Sequence, residues 1–185
     1  MGLLRRNRKR EEFEAQAVPH LDSLYRTARR ALGDPSRADD VVQDLYLRAW
    51  RSFDTFEPGT NCRAWLFKIL LHCIHDHRRR WLSRPPADDS DEILGRQTAP
   101  EPVPAAVTDE ELLQALDRLP EQSREILLLA DVEGFAYKEI ASLLQIRIGT
   151  VMSRLSRARG KLRESLNGSA LLRDWGPARV GSASA

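Results

Sequence analysis

The stretch that most restricts what this chain can become runs from Tyr137 to Arg163. Ile140, Ala141 and Leu144 make one apolar face of a short helix. After a break around Gln145 to Gly149, Val151, Leu155, Ala158 and Leu162 recur as the buried stripe of a second helix. At about 100° per residue, the opposite face holds Gly149, Thr150, Ser153, Ser156, Arg157 and Gly160, with Arg147, Arg154 and Arg159 at its edges. No carboxylate interrupts it before Glu164. Arginine forks match guanine edges and phosphates, and hydroxyls bond phosphate oxygens, so this surface suits a major groove. A basic face alone would be ordinary solvated surface. Short helix, tight turn and longer helix together predict a DNA-binding helix-turn-helix.

The remaining composition excludes more than it proposes. Across 185 residues, 29 Lys and Arg stand against 27 Asp and Glu, so net charge says nothing about DNA and local distribution has to. No run approaches the roughly 18 apolar residues of a membrane span. Glu11 and Glu12 follow the basic N-terminus where a secretory signal would be apolar. Cys62 and Cys73 make no disulfide framework. The expectation is a cytoplasmic protein with no membrane partner.

Residues 1–10 carry five positive charges and predict a basic, flexible tail. Residues 11–82 predict the first helical domain. Phe13, Ala17, Leu21, Leu24, Ala28 and Leu32 repeat at helical spacing, with Pro19 marking a start or a kink, and Asp34 or Ser36 caps a second helix. That helix turns Ala38, Val41, Val42, Leu45, Ala49 and Phe53 inward. A separate stripe of Asp40, Gln43, Asp44 and Leu47 sets a leucine among acids, which fits either a partner surface or a solvated face. Thr60 or Asn61 caps a third helix from about Cys62 to Leu82, apolar first and basic afterwards. Aromatic rings beside arginines suit single-stranded nucleic acid. Core packing is expected to claim at least one of Trp65 and Phe67.

His72, Cys73, His75 and His77 raise the question of a metal. They point to different faces and no second cluster completes a tetrahedral set, so no metal and no cofactor are expected. Nothing matches a nucleophile elbow or a phosphate-binding glycine loop, and no catalytic residues are expected. Residues 83–107 hold half the chain's ten prolines and the acidic run Asp88, Asp89, Asp91, Glu92, which predicts a flexible linker. Residues 108–166 form the second domain, opened by a capping box from Thr108 to Glu111, with Pro120 starting a helix whose apolar face reaches Val132. Ala136 lacks a capping side chain for the helix after it. Residues 167–185, rich in Ser, Ala and Gly, are expected to be disordered.

The run Leu119-Pro-Glu-Gln-Ser-Arg-Glu-Ile through Ala141, followed by Ile148-Gly-Thr-Val-Met-Ser-Arg-Leu-Ser-Arg-Ala-Arg, resembles region 4 of extracytoplasmic-function sigma factors. Asp39-Asp-Val-Val-Gln-Asp-Leu-Tyr-Leu-Arg-Ala-Trp and Pro58-Gly-Thr-Asn-Cys-Arg-Ala-Trp-Leu-Phe-Lys-Ile look like region 2 of the same family. The resemblance implies two all-α domains and an alternative sigma factor, active in stress transcription, that directs RNA polymerase to promoters without chemistry of its own. It implies −35 contacts from Arg147, Thr150, Ser153, Arg154 and Arg157. Contacts to the melted −10 strand would come from Asn61, Arg63, Trp65, Lys68, His72, Arg78 and Arg79. Asp40, Gln43, Asp44 and Leu47 would dock on the polymerase β′ clamp, with the β flap as a further contact. His72 replaces the family's usual asparagine, and Gln145 and Arg147 replace its frequent Gly and Pro. The wording around Phe135 and Gly149 looks most like a subgroup paired with zinc-containing, thiol-sensitive anti-sigma proteins. The rival readings are a stand-alone helix-turn-helix regulator of duplex DNA and a helical nucleic-acid hydrolase. The first would need a dimerisation helix or ligand domain, the second a metal-carboxylate site.

Overall fold

The computed structural model describes residues 2–83 and 109–166, and all regular structure among them is helical. The expected linker beyond Ser83, the Thr108 cap and the C-terminal tail lie outside the described residues. Helix α1 (Gly2–Ala17) takes in the segment expected to be a tail. The physical reasons are local. Arg8 pairs with Glu12 one turn on at 2.9 Å, and Lys9 reaches Asp54 at 2.6 Å while lying over the Trp50 ring. Phe13 anchors the helix, its ring meeting Tyr46, Trp50 and Phe53 edge-on.

Pro19 falls in a 3-10 turn, Val18–His20, that separates α1 from α2 (Leu21–Leu32). α2 stops at Gly33, whose φ of +71° is the left-handed ending that glycine adopts freely. Asp34 then caps α3 (Pro35–Ser52), accepting the Arg37 N–H at 3.0 Å with Pro35 at the first helical position. The inward stripe of α3 is buried as its spacing predicts. Asn61 caps α4 (Cys62–Leu82) by accepting the Ala64 N–H at 3.0 Å.

The second unit comprises α5 (Asp109–Asp117), α6 (Glu121–Leu127), a π turn at Leu128–Val132, α7 (Tyr137–Leu144) and α8 (Ile148–Ser165). The buried face ends at Leu129, short of the expected Val132, which is 43 % exposed, because the helix closes in a widened turn where the Glu133 N–H bonds the Leu128 carbonyl. α7 is half capped. Ala136 offers no side-chain acceptor, yet the Glu139 carboxylate accepts the Ala136 N–H at 2.8 Å. Gln145 closes α7 at φ 53°, a left-handed conformation that costs a non-glycine residue about 1–2 kcal/mol. The Ile146 N–H bond to the Ala141 carbonyl completes this ending and aims the chain into α8.

The two units pack together. α2 and α4 lie against α5, α6 and α7. Phe67 and Phe135 meet edge-on across the seam at 5.0 Å. A Cβ at Gly33 would come within 3.0 Å of the Asp117 carboxylate, so the approach there is as close as a hydrogen allows.

Candidate nucleic-acid interface

On α8 the buried stripe Val151, Leu155, Ala158 and Leu162 seats the helix on the second unit. Its opposite face is open. Gly149, Ser153, Ser156 and Arg157 are exposed, with Thr150 and Arg154 half-buried beside them and Arg147 exposed at the N-cap. Arg157 donates to the Ser153 carbonyl of its own helix at 3.2 Å, and neither Arg154 nor Arg157 has a carboxylate partner among the described residues. Arg159 is different. Both ends of its guanidinium hold Asp131, at 3.0 and 2.5 Å, so it ties α8 to the π turn. Sequence reasoning passed over Met152, which is 54 % exposed on the flank of this face, with Ile148 a turn before it. Its position beside Ser153 was the available signal.

The residues expected to hold the melted strand do not share one face of α4. Counting about 100° per residue, Trp65, Lys68, His72 and Arg79 fall on one side, and Arg63 and Arg78 on another. Lys68 and His72 are exposed and have no ion-pair partner among the described residues. Arg79 pairs with Asp76 at 2.6 Å. Asn61 spends its side chain on the helix cap. Trp65 is half-buried against Phe56, and Phe67 is wholly buried, so the core does claim one of the two rings.

Arg63 and Arg78 face the second unit. Arg63 Nη2 donates to the Glu133 carbonyl at 2.6 Å and to its carboxylate at 2.7 Å, with the guanidinium over the Phe135 ring. Arg78 meets Glu121 at 2.5 Å and Glu125 at 3.1 Å, and donates to the Ala31 carbonyl. His75 bonds Glu125 at 2.9 Å, and that bond holds its imidazole above the usual histidine range. These carboxylates could not be assigned from sequence, because each pairs with a residue dozens of positions away. His75, Glu121 and Glu125 bring ligand atoms within 4.8 Å of one another, but Arg78 already neutralises both carboxylates, so a divalent ion there would sit beside a guanidinium. His72, Cys73 and His77 take no part in that group.

Beside this seam a cavity of about 900 Å³ opens between the end of α4 and α8, with Leu82, Leu144 and Ile146 as apolar walls and Arg154, Arg157 and Lys161 as basic ones. On α3, Asp40 and Gln43 are exposed and Leu47 is 55 % exposed, as the stripe reading expects. Asp44 departs from a plain solvent-facing carboxylate. It is half-buried and pairs with Arg48 at 2.8 Å, and Arg48 also holds Asp76 of α4. The packing of α3 along α4 creates this bridge.

The comparisons with known proteins agree with this geometry. The model of Sigma-70 region 2 matches residues 18–83, and that of Sigma-70 region 4 matches residues 109–162. The ECF RNA polymerase sigma factor EcfG of Rhodopseudomonas palustris is 40% identical over 148 residues, 79% of this chain and 78% of that protein. RNA polymerase sigma factor NccH of Alcaligenes xylosoxydans xylosoxydans is 33% identical, over 91% of this chain and 95% of its own. Among solved structures, the sigma factor RpoE of Bartonella quintana, in complex with the anti-sigma factor NepR, superposes with a TM-score of 0.68 at 32% identity, covering 84% of this chain and 97% of that one. CnrH in complex with the cytosolic domain of CnrY gives 0.62 at 28% identity, covering 85% and 88%. No described helix is long and apolar enough to cross a membrane. With a helix-turn-helix whose Arg154 and Arg157 have no carboxylate partner among the described residues, the chain belongs to the extracytoplasmic-function sigma factors, alternative sigma factors that bind core RNA polymerase and promoter DNA and direct transcription initiation.

Proposed function

We propose that α8 reads the −35 element through Arg147, Thr150, Ser153, Arg154 and Arg157, and that α4 holds the melted −10 strand through Lys68, His72 and Arg79 with Arg63 and Arg78. The carrying observation is the outward face of α8, where Arg154 and Arg157 stand without carboxylate partners. Asp40, Gln43 and Leu47, with Asp44 behind its bridge to Arg48, dock on the β′ clamp, and the second unit meets the β flap. A small apolar centre among carboxylates is the composition of a steered interface. The chain acts in the cytoplasm and contributes contacts, with no chemistry of its own. Run-off transcription with purified core polymerase tests this. New start sites should appear on a promoter-fragment pool, and an Arg154→Ala/Arg157→Ala variant should lose them. If that variant initiates as the parent does, α8 does not read the −35 element.

An anti-sigma protein holds the chain in check on this reading, supported by the RpoE and CnrH structures, each in complex with an anti-sigma partner. The finer assignment, a zinc-containing and thiol-sensitive partner, rests on the wording around Phe135 and Gly149. On it, redox chemistry sits on the partner, and a Cys62→Ser/Cys73→Ser variant keeps the oxidant response. Loss of that response with the partner intact sinks the assignment.

A further inference from the structure

We propose that the α4 face carrying Arg63 and Arg78 is a strand-binding surface with an internal occupant, the carboxylates of Glu125 and Glu133. In this closed form the second unit fills the site, and a melted strand has to displace it. The inference rests on the reading of α4 as the −10 helix and adds its regulation.

The Glu133 side chain is 5 % exposed and that of Glu125 is 3 %. Buried carboxylates need partners, because losing hydration is costly unless a cation or donor replaces it. Every partner these two have among the described residues comes from the first unit. Thr27 and Arg63 serve Glu133, and His75 and Arg78 serve Glu125. Neither carboxylate has a structural task within its own helices, and both regain water when the units part. These pairs return little net stability for the desolvation they demand, so the charged part of the seam is exchangeable while apolar contacts such as Phe67 on Phe135 hold the units together.

The chemistry of the occupant matches that of a strand. A guanidinium fork takes carboxylate and phosphate oxygens in the same bidentate way. Arg63 also lies 5.1 Å from the ring centre of Phe67 on its own helix, a contact that stays with α4 when the second unit and Phe135 leave. Phosphate and Glu133 cannot share Arg63 Nη2. Lys68 and His72, elsewhere around α4, stay open in the closed form and give a strand its first contacts.

The test uses the full chain carrying Glu125→Gln and Glu133→Gln, which keep shape and remove charge. The probe is a fluorescein-labelled, mixed-sequence single-stranded DNA read by anisotropy, beside the radius of gyration from X-ray scattering. The variant should expand and bind about tenfold more tightly, the gain expected when a competent fraction of about a tenth becomes nearly complete. Adding Arg63→Ala should abolish the gain. If the double variant melts early, Glu133→Gln alone carries the measurement. Lys68→Ala, on the open side, tests the α4 reading separately. Weaker binding by Lys68→Ala with no gain from the glutamines overturns the internal occupant and leaves the −10 helix standing. Parental binding by both Lys68→Ala and Arg63→Ala overturns both.

Discussion

α4 and α8 are both long basic helices, and they use arginine in opposite ways. On α8, Arg154 and Arg157 have no carboxylate partner among the described residues. On α4, Arg63 and Arg78 are held across the seam by Glu133, Glu121 and Glu125, and Arg79 is held by Asp76. The basic residues look alike in sequence. What separates them is whether folding brings a carboxylate to each. An unpaired guanidinium is available to DNA at once, whereas a paired one has first to exchange its partner.

That contrast can be broken experimentally, most visibly on α8. Alanine at Arg154 and Arg157 should lower affinity for a −35 duplex, by about 1–3 kcal/mol wherever the arginine bonds a base edge, with melting temperature unchanged. Duplex affinity and thermal melting on the same samples decide it, and a large drop in melting temperature would show that these arginines are structural. Arg124 supplies the mirror case. It is buried and donates to the Ala31 carbonyl at 2.8 Å and to the Asp117 carboxylate at 2.7 Å, and burial pulls its pKa down. Arg124→Ala should cost about 1–3 kcal/mol in urea unfolding, because the Asp117 carboxylate and carbonyl lose a charged donor. Duplex binding per folded molecule should stay the same.

A smaller effect comes from pH. The Glu125 bond raises the His75 pKa in the closed form, so the protonated ring favours closure. This contribution is complete below the ordinary histidine value of 6.5 and fades as pH rises through the raised one. Glu125 and Glu121 of α6 and Arg78 of α4 act directly on this ring, with Arg79 of α4 and Arg154, Arg157 and Lys161 of α8 lining the adjoining cavity. Scattering at about pH 5.5 and about pH 8 should show a more expanded chain at the higher value, and His75→Gln should flatten the difference. The smallest effect should be at Cys73. Burial pushes its thiol up to about 11, so a maleimide should leave it untouched in the native chain and label it on unfolding.

Much of the fold was legible because it depends on neighbours along the chain. The stripes of α3 and α8, the Asn61 and Asp34 caps and the break at Pro19 all follow from local spacing and turn chemistry. The helical N-terminus was not, because Lys9 finds Asp54 and Trp50 only after α3 has folded beneath it. The exposed face of α8 was likewise readable, since it is whatever the buried stripe leaves over. The division of α4 into free and engaged cations was not. Glu133 meets Arg63 across 70 positions, and nothing in either segment announces the other. Asp44 taught the same lesson within one domain, where Arg48 and α4 turn a solvent-facing acid into part of a bridge.

Gly33 sets the clearance of the seam. With only a hydrogen between α2 and the Asp117 carboxylate, the joint between the units is gauged there by the smallest side group available. An added methyl acts as a shim, pressing on Asp117 while straining a backbone at φ +71° that suits glycine. A methyl there would press on the joint at the carboxylate that Arg124 holds, so fit and electrostatics meet at the same point of the seam.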